Sequence, residues 1–64
     1  MTANDRWVVL VVDDEPQVLE VTRMVLGRFE FEGRRLEILE AGSAREARGI
    51  LGQRKDVAMM IVDV

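Results

Sequence analysis

The stretch Trp7-Val8-Val9-Leu10-Val11-Val12-Asp13-Asp14-Glu15-Pro16 decides the fold. Six apolar residues, four of them valine, run without a break and stop at three acids and a proline. A strand with one wet face alternates apolar and polar side chains, whereas an unbroken run marks a strand covered on both faces, as in a parallel sheet. Pro16 suits the first turn of a helix, where its missing N–H is no loss, and acidic side chains suit the positive end of a helix. A buried strand over about 7–13 thus passes directly into a helix over about 16–29. There Val18, Val21, Val25 and Phe29 recur at three- and four-residue intervals, and Leu19 and Leu26 widen the stripe.

The same grammar repeats downstream. Phe29-Glu30-Phe31-Glu32-Gly33-Arg34-Arg35 reads as a connector, with Arg34 and Arg35 solvated and the two phenylalanines fastening the first helix to the sheet. A shorter, more exposed strand follows over about 36–41. Ser43 and Glu46 have the spacing of a capping box and open a second helix over about 43–54. Ala44, Ala47, Ile50 and Leu51 form its narrow stripe, and Gly49 and Gly52 weaken it. Val57-Ala58-Met59-Met60-Ile61-Val62-Asp63-Val64 is a third strand (about 57–63), with Met59 and Met60 read as core. Trp7, at the far end of the first strand, reads as packing.

Strand, helix, strand, helix, strand is an α/β pattern, and right-handed crossovers make the sheet parallel in the order 2-1-3. The second strand then lies at the edge and the other two are central, as at one side of a flavodoxin-like sheet. The third strand is as apolar as the first and expects a neighbour on its outer side. Residues 1–64 therefore read as the N-terminal part of a single domain whose remaining sheet is absent. The alternative is a short protein that hides this edge by self-association.

Composition removes several classes of function. Nine Lys and Arg against twelve Asp and Glu give a net charge of −3, and 48% of the residues are hydrophobic, too many for a disordered chain. With no Cys and no His, there is no disulfide, no thiolate or imidazole metal site, and no Cys- or His-based catalytic machinery. The longest apolar runs have six residues, against the ~20 needed to cross a bilayer. Met1–Arg6 has no signal-peptide pattern, so a cytoplasmic location is expected. A pI of about 4.8 gives no reason to expect nucleic-acid binding by this segment.

Asp13, Asp14 and Asp63 carry the chemistry. Neighbouring parallel strands end on the same side, so Asp63 at the end of the third strand should meet the Asp13–Asp14 pair in the crevice where open α/β sheets bind ligands. Like charges held there repel, and a hard divalent cation such as Mg²⁺ relieves the repulsion while accepting phosphate oxygens. Taken singly, Asp14 or Glu15 would only cap a helix and Asp63 only end a strand. Their meeting at two neighbouring strand ends favours a Mg²⁺-dependent site for phosphoryl transfer.

Val9-Leu10-Val11-Val12-Asp13-Asp14-Glu15-Pro16, Glu40-Ala41-Gly42-Ser43-Ala44-Arg45-Glu46-Ala47 and Ile61-Val62-Asp63-Val64 together resemble, in order and spacing, the receiver domain of two-component response regulators. The resemblance spans nearly the whole chain. It implies that Asp63 is the phosphoacceptor, taking a phosphoryl group from a histidine kinase or phosphotransfer protein. It also implies that Asp14 and Asp63 ligate Mg²⁺ directly, and that Asp13 acts mainly through a metal-bound water. Glu15 would tune the site or serve the helix start. The module would be a signalling phosphoacceptor rather than a turnover enzyme. The family's switch hydroxyl and phosphate-binding Lys have no counterpart here, because both fall beyond residue 64. Lys55, the chain's one lysine, precedes the third strand and cannot substitute. The longer connector is similar to that of receivers that precede cyclic-dinucleotide output domains. Two other functions compete: a Mg²⁺-dependent phosphohydrolase of another α/β family, and a truncated interaction module that pairs through its third strand. A nucleotide-binding half-domain is set aside, since it needs a Gly-rich turn where this chain has Asp13-Asp14-Glu15.

Overall fold

The computed structural model describes residues 6–63. The stretch 1–5, read above for a leader, and Val64, counted into the third strand, lie outside the described residues. The elements are β1 (Trp7–Val12), α1 (Pro16–Leu26), β2 (Glu30–Phe31), β3 (Arg34–Ala41), α2 (Ala44–Gln53) and β4 (Val57–Val62). Among the described residues, no helix is long and apolar enough to cross a membrane.

The α/β class is as expected, but the sheet is mixed rather than wholly parallel in the order 2-1-3. Its order is β2-β3-β1-β4. β1 runs parallel to both β3 and β4, while β2 is antiparallel to β3, pairing Glu30 with Arg35 and Phe31 with Arg34. The cause is local. Glu32 (φ 54°) and Gly33 (φ 76°) both take positive φ, the requirement of a two-residue hairpin turn, so the connector folds back on the strand it leads into. Arg34 and Arg35 are thus strand residues rather than loop residues. The second strand starts two residues before position 36, and its first two residues have an outer neighbour.

Leu10 is fully buried, and the rest of β1 from Val8 to Val12 is nearly so. That burial needs cover on both faces, as the unbroken apolar run predicts. On one face Leu10, Val12 and Ala41 pack with Ala47 of α2. On the other face α1 lies over β1 and β3, tied down by Arg23 Nε to Glu40 at 3.3 Å. The α1 stripe is rotated from its expected position: Leu19, Thr22 and Leu26 are half-buried, while Val18, Val21 and Val25 are exposed. α1 also stops three residues short of Phe29. Gly27, a poor helix former, sits at its C-cap, and the Phe29 N–H donates to the Leu26 carbonyl in a turn at 3.0 Å. Phe29 and Phe31 remain largely exposed.

β4 overturns a further expectation. Among the described residues it pairs with β1 alone and ends the sheet, so Met59 (57% exposed) and Met60 (47%) are not buried here. Its register against β1 slips by one residue: Val8 faces Val57 but Val9 faces Met59, which leaves Ala58 as the extra residue.

Candidate functional site

The sheet's hydrogen bonding continues one step past the strands and fixes two of the acids. The Asp13 N–H donates to the Ala41 carbonyl of β3 at 3.0 Å, and the Asp63 N–H donates to the Val12 carbonyl of β1 at 3.1 Å. The two backbones therefore flank the end of the same strand, on the side where parallel strands present their carboxyl ends.

Asp13 is 3% exposed, and its Oδ1 accepts the Glu15 N–H at 2.9 Å. This Asx-type bond turns the chain from β1 into α1. Glu15 is the N-cap residue in extended conformation and acts through its backbone. Its carbonyl accepts from Val18 and Leu19, while its side chain makes no cap bond. Carboxylate oxygens of Asp13, Asp14 and Glu15 lie within 4.8 Å of one another, with the last two residues exposed. Asp63 lines the same crevice, of about 460 Å³, from the β4 side, but its carboxylate is not one of the three that lie this close together; Glu15 takes that place. A set of carboxylate oxygens alone is a hard donor set, which fits Mg²⁺ or a similar cation and not a soft metal.

Sequence reasoning missed the crevice's third wall. Gly42, Ser43 and Ala44 line it as well. The available signal was topological: β3 is parallel to β1, so the turn after β3 must stand beside the turn after β1. Ser43 opens α2, with its Oγ accepting the Glu46 N–H at 3.1 Å, as the capping box predicts. The return bond is displaced by one residue, because Glu46 Oε1 accepts from the Gly42 N–H at 2.8 Å. The amino end of α2, its positive dipole end, thus lines the same crevice as the carboxylates. Lys55 precedes β4, at the opposite end of that strand from Asp63.

Other polar contacts serve the fold. The Arg54 guanidinium donates to both Asp56 oxygens at 3.0 and 2.7 Å and to Glu37 at 3.3 Å. Its pKa is raised, chiefly by the bond to Asp56. Trp7 is packing, as expected. Its indole N–H donates to the Phe31 carbonyl at 2.8 Å, and the Arg34 guanidinium lies 4.0 Å above its ring.

An α/β segment with a carboxylate-lined crevice at the carboxyl ends of parallel strands is the class that fold and site define. No family model matches the chain, and no solved structure matches it. The chain is 41% identical over 64 residues to the 3'3'-cGAMP-specific phosphodiesterase 2 of Vibrio cholerae. That alignment takes in all of this chain and 12% of that protein, so the chain spans about an eighth of the length of the curated relative it matches.

Proposed function

We propose that the chain is the N-terminal part of a receiver module of the flavodoxin-like type that accepts a phosphoryl group on Asp63. The observation that carries this reading is that Asp13 and Asp14, after β1, and Asp63, after β4, line one crevice. Asp13, Asp14 and Asp63 are the residues that would hold Mg²⁺, and the ion would neutralise oxygens of the transferring group. The Asp63 carboxylate attacks the phosphorus of a phosphohistidine. The O–P bond forms as the N–P bond breaks, and the imidazole leaves. The Glu15 N–H holds one oxygen of the Asp13 carboxylate in place. The donor is a histidine kinase or phosphotransfer protein in the cytoplasm. The switch hydroxyl and phosphate-binding lysine belong to sequence outside these 64 residues. The uncovered outer edge of β4 favours more sheet there. The name of the Vibrio cholerae relative favours an output related to cyclic dinucleotides.

The test is phosphorylation of the full-length protein by a phosphohistidine donor with Mg²⁺. One hydroxylamine-labile phosphate is expected, absent in Asp63→Asn and absent after chelation. Phosphate on another residue overturns the assignment. The relative's name also favours a second reading, a phosphodiesterase that uses these acids directly. Multiple turnovers of a cyclic dinucleotide, lost in Asp14→Asn but kept in a protein that takes up no phosphate, would establish that reading instead.

A further inference from the structure

The end of the sheet away from the carboxylates gathers arginines in one place. β1 and β3 are parallel, so folding brings their starts together: Arg6, just before β1, meets Arg34 and Arg35, the first residues of β3. These three arginines line one open polar hollow of about 300 Å³ together with Glu30 and Gly33. Three cations and one carboxylate leave this lining at +2, in a chain whose net charge is −3. The gathering is built rather than incidental. The Arg34 guanidinium carbon lies over the Trp7 ring, 4.0 Å from its centroid, while its Nη2 donates to the Arg6 carbonyl at 3.3 Å. Gly33, at φ 76°, has nothing within 4 Å of where a Cβ would stand, so the turn beside the hollow is open. The Arg35–Glu30 pair is long, at 3.9 Å, and both side chains are more than half exposed. Such a pair holds its partners weakly and yields to a better acceptor.

We propose that this hollow is an anion site that takes a phosphate group, with Arg35 as its principal fork and Arg34 and Arg6 supplying the surrounding positive field. A guanidinium presents paired N–H donors that match two phosphate oxygens, and Arg35 exchanges its loose contact with Glu30 for that bidentate bond. The site stands at the far end of β1 from Asp13 and does not depend on Asp63 being a phosphoacceptor. Inorganic phosphate and the phosphate of a nucleotide share this chemistry.

The test is a titration of the full-length protein, at low ionic strength and without divalent cations, with inorganic phosphate, with AMP and with a cyclic purine dinucleotide. It is read by calorimetry and by shifts of the Gly33, Arg34 and Arg35 amides. Saturable binding is expected, weakened about tenfold or more in Arg35→Ala. Arg35→Lys should recover only part of the loss, because it restores the charge without the fork. For the part of the binding that Arg35→Ala removes, stronger binding of a nucleotide than of free phosphate identifies the nucleotide as the source, and equal binding identifies the phosphate group alone. Asp63→Asn should leave the titration unchanged, which separates this site from the phosphoacceptor reading. No binding by any of the three probes, or binding unaltered in both Arg35 variants, overturns the proposal.

Discussion

Replacing Leu10 by alanine should cost about half of the stability these residues contribute. Leu10 is 0% exposed at the middle of β1, paired with Leu39 on one side and Met60 on the other, and packed on the cluster of Val12, Ala41 and Ala47. Truncation removes the buried methyl groups and leaves a cavity that flanking strands cannot close. Such changes cost about 2–5 kcal/mol. At roughly 0.05–0.15 kcal/mol per residue, the share of these 64 residues is about 3–10 kcal/mol. Met60→Ala is the matched control. It deletes a side chain of similar size directly across from Leu10, but one that is 47% exposed, so its cost should stay under about 1.5 kcal/mol. Urea unfolding followed through Trp7, the one tryptophan of the chain, measures both. Equal losses for the two variants, or a loss below about 1 kcal/mol for Leu10→Ala, would refute the assignment of β1 as the core strand and β4 as an edge.

Three further outcomes follow from the turns and the crevice. Ser43→Ala removes the acceptor for the Glu46 N–H and should cost about 1 kcal/mol by the same unfolding assay, whereas Ser43→Asp should cost less. Gly33→Ala forces a Cβ onto a φ of 76°. It should destabilise the hairpin by about 1 kcal/mol and shift Trp7 fluorescence, because Phe31 would lose its hold on the indole N–H. Asp14→Asn should weaken Mg²⁺ binding about tenfold or more by calorimetry, while Glu15→Gln should weaken it less; the reverse order would move the centre of the cation site to the helix start.

How much was legible in the sequence depended on whether the signal was local. β1 was plain because six apolar residues in a row permit one environment, and Pro16 and Ser43 marked their helix starts through chemistry confined to one turn. The hairpin was not legible, because Glu32 carries no glycine-like mark and only the pair Glu32–Gly33 together makes the turn. The rotation of α1 was missed for another reason. Val18, Val21 and Val25 have the same periodicity as Leu19, Thr22 and Leu26, and periodicity cannot say which of two apolar stripes meets the sheet. Met59 and Met60 looked like core because β4 has a core composition, yet burial depends on a neighbour as well as on the strand itself. For the crevice, the acids were visible by type and position. That Asp13 would spend one oxygen on the Glu15 N–H, and that Ser43 would stand opposite, needed the register of three strands.

The extra residue at Ala58 gives β4 a slack link. Four successive pairs, Met59 to Val62 against Val9 to Val12, lock the outer part of the strand, and Asp63 is carried on the end of that locked part. Everything upstream, from the last turn of α2 through Arg54, Lys55 and Asp56 to Val57, joins through the slipped step. A change in the length or pitch of that connection is taken up at Ala58 instead of sliding Asp63 past Asp13. A one-residue slide would have turned every β4 side chain to the opposite face of the sheet. The acid is thus set by the four locked pairs and by its own N–H on the Val12 carbonyl, on the far side of the slipped step from the helix.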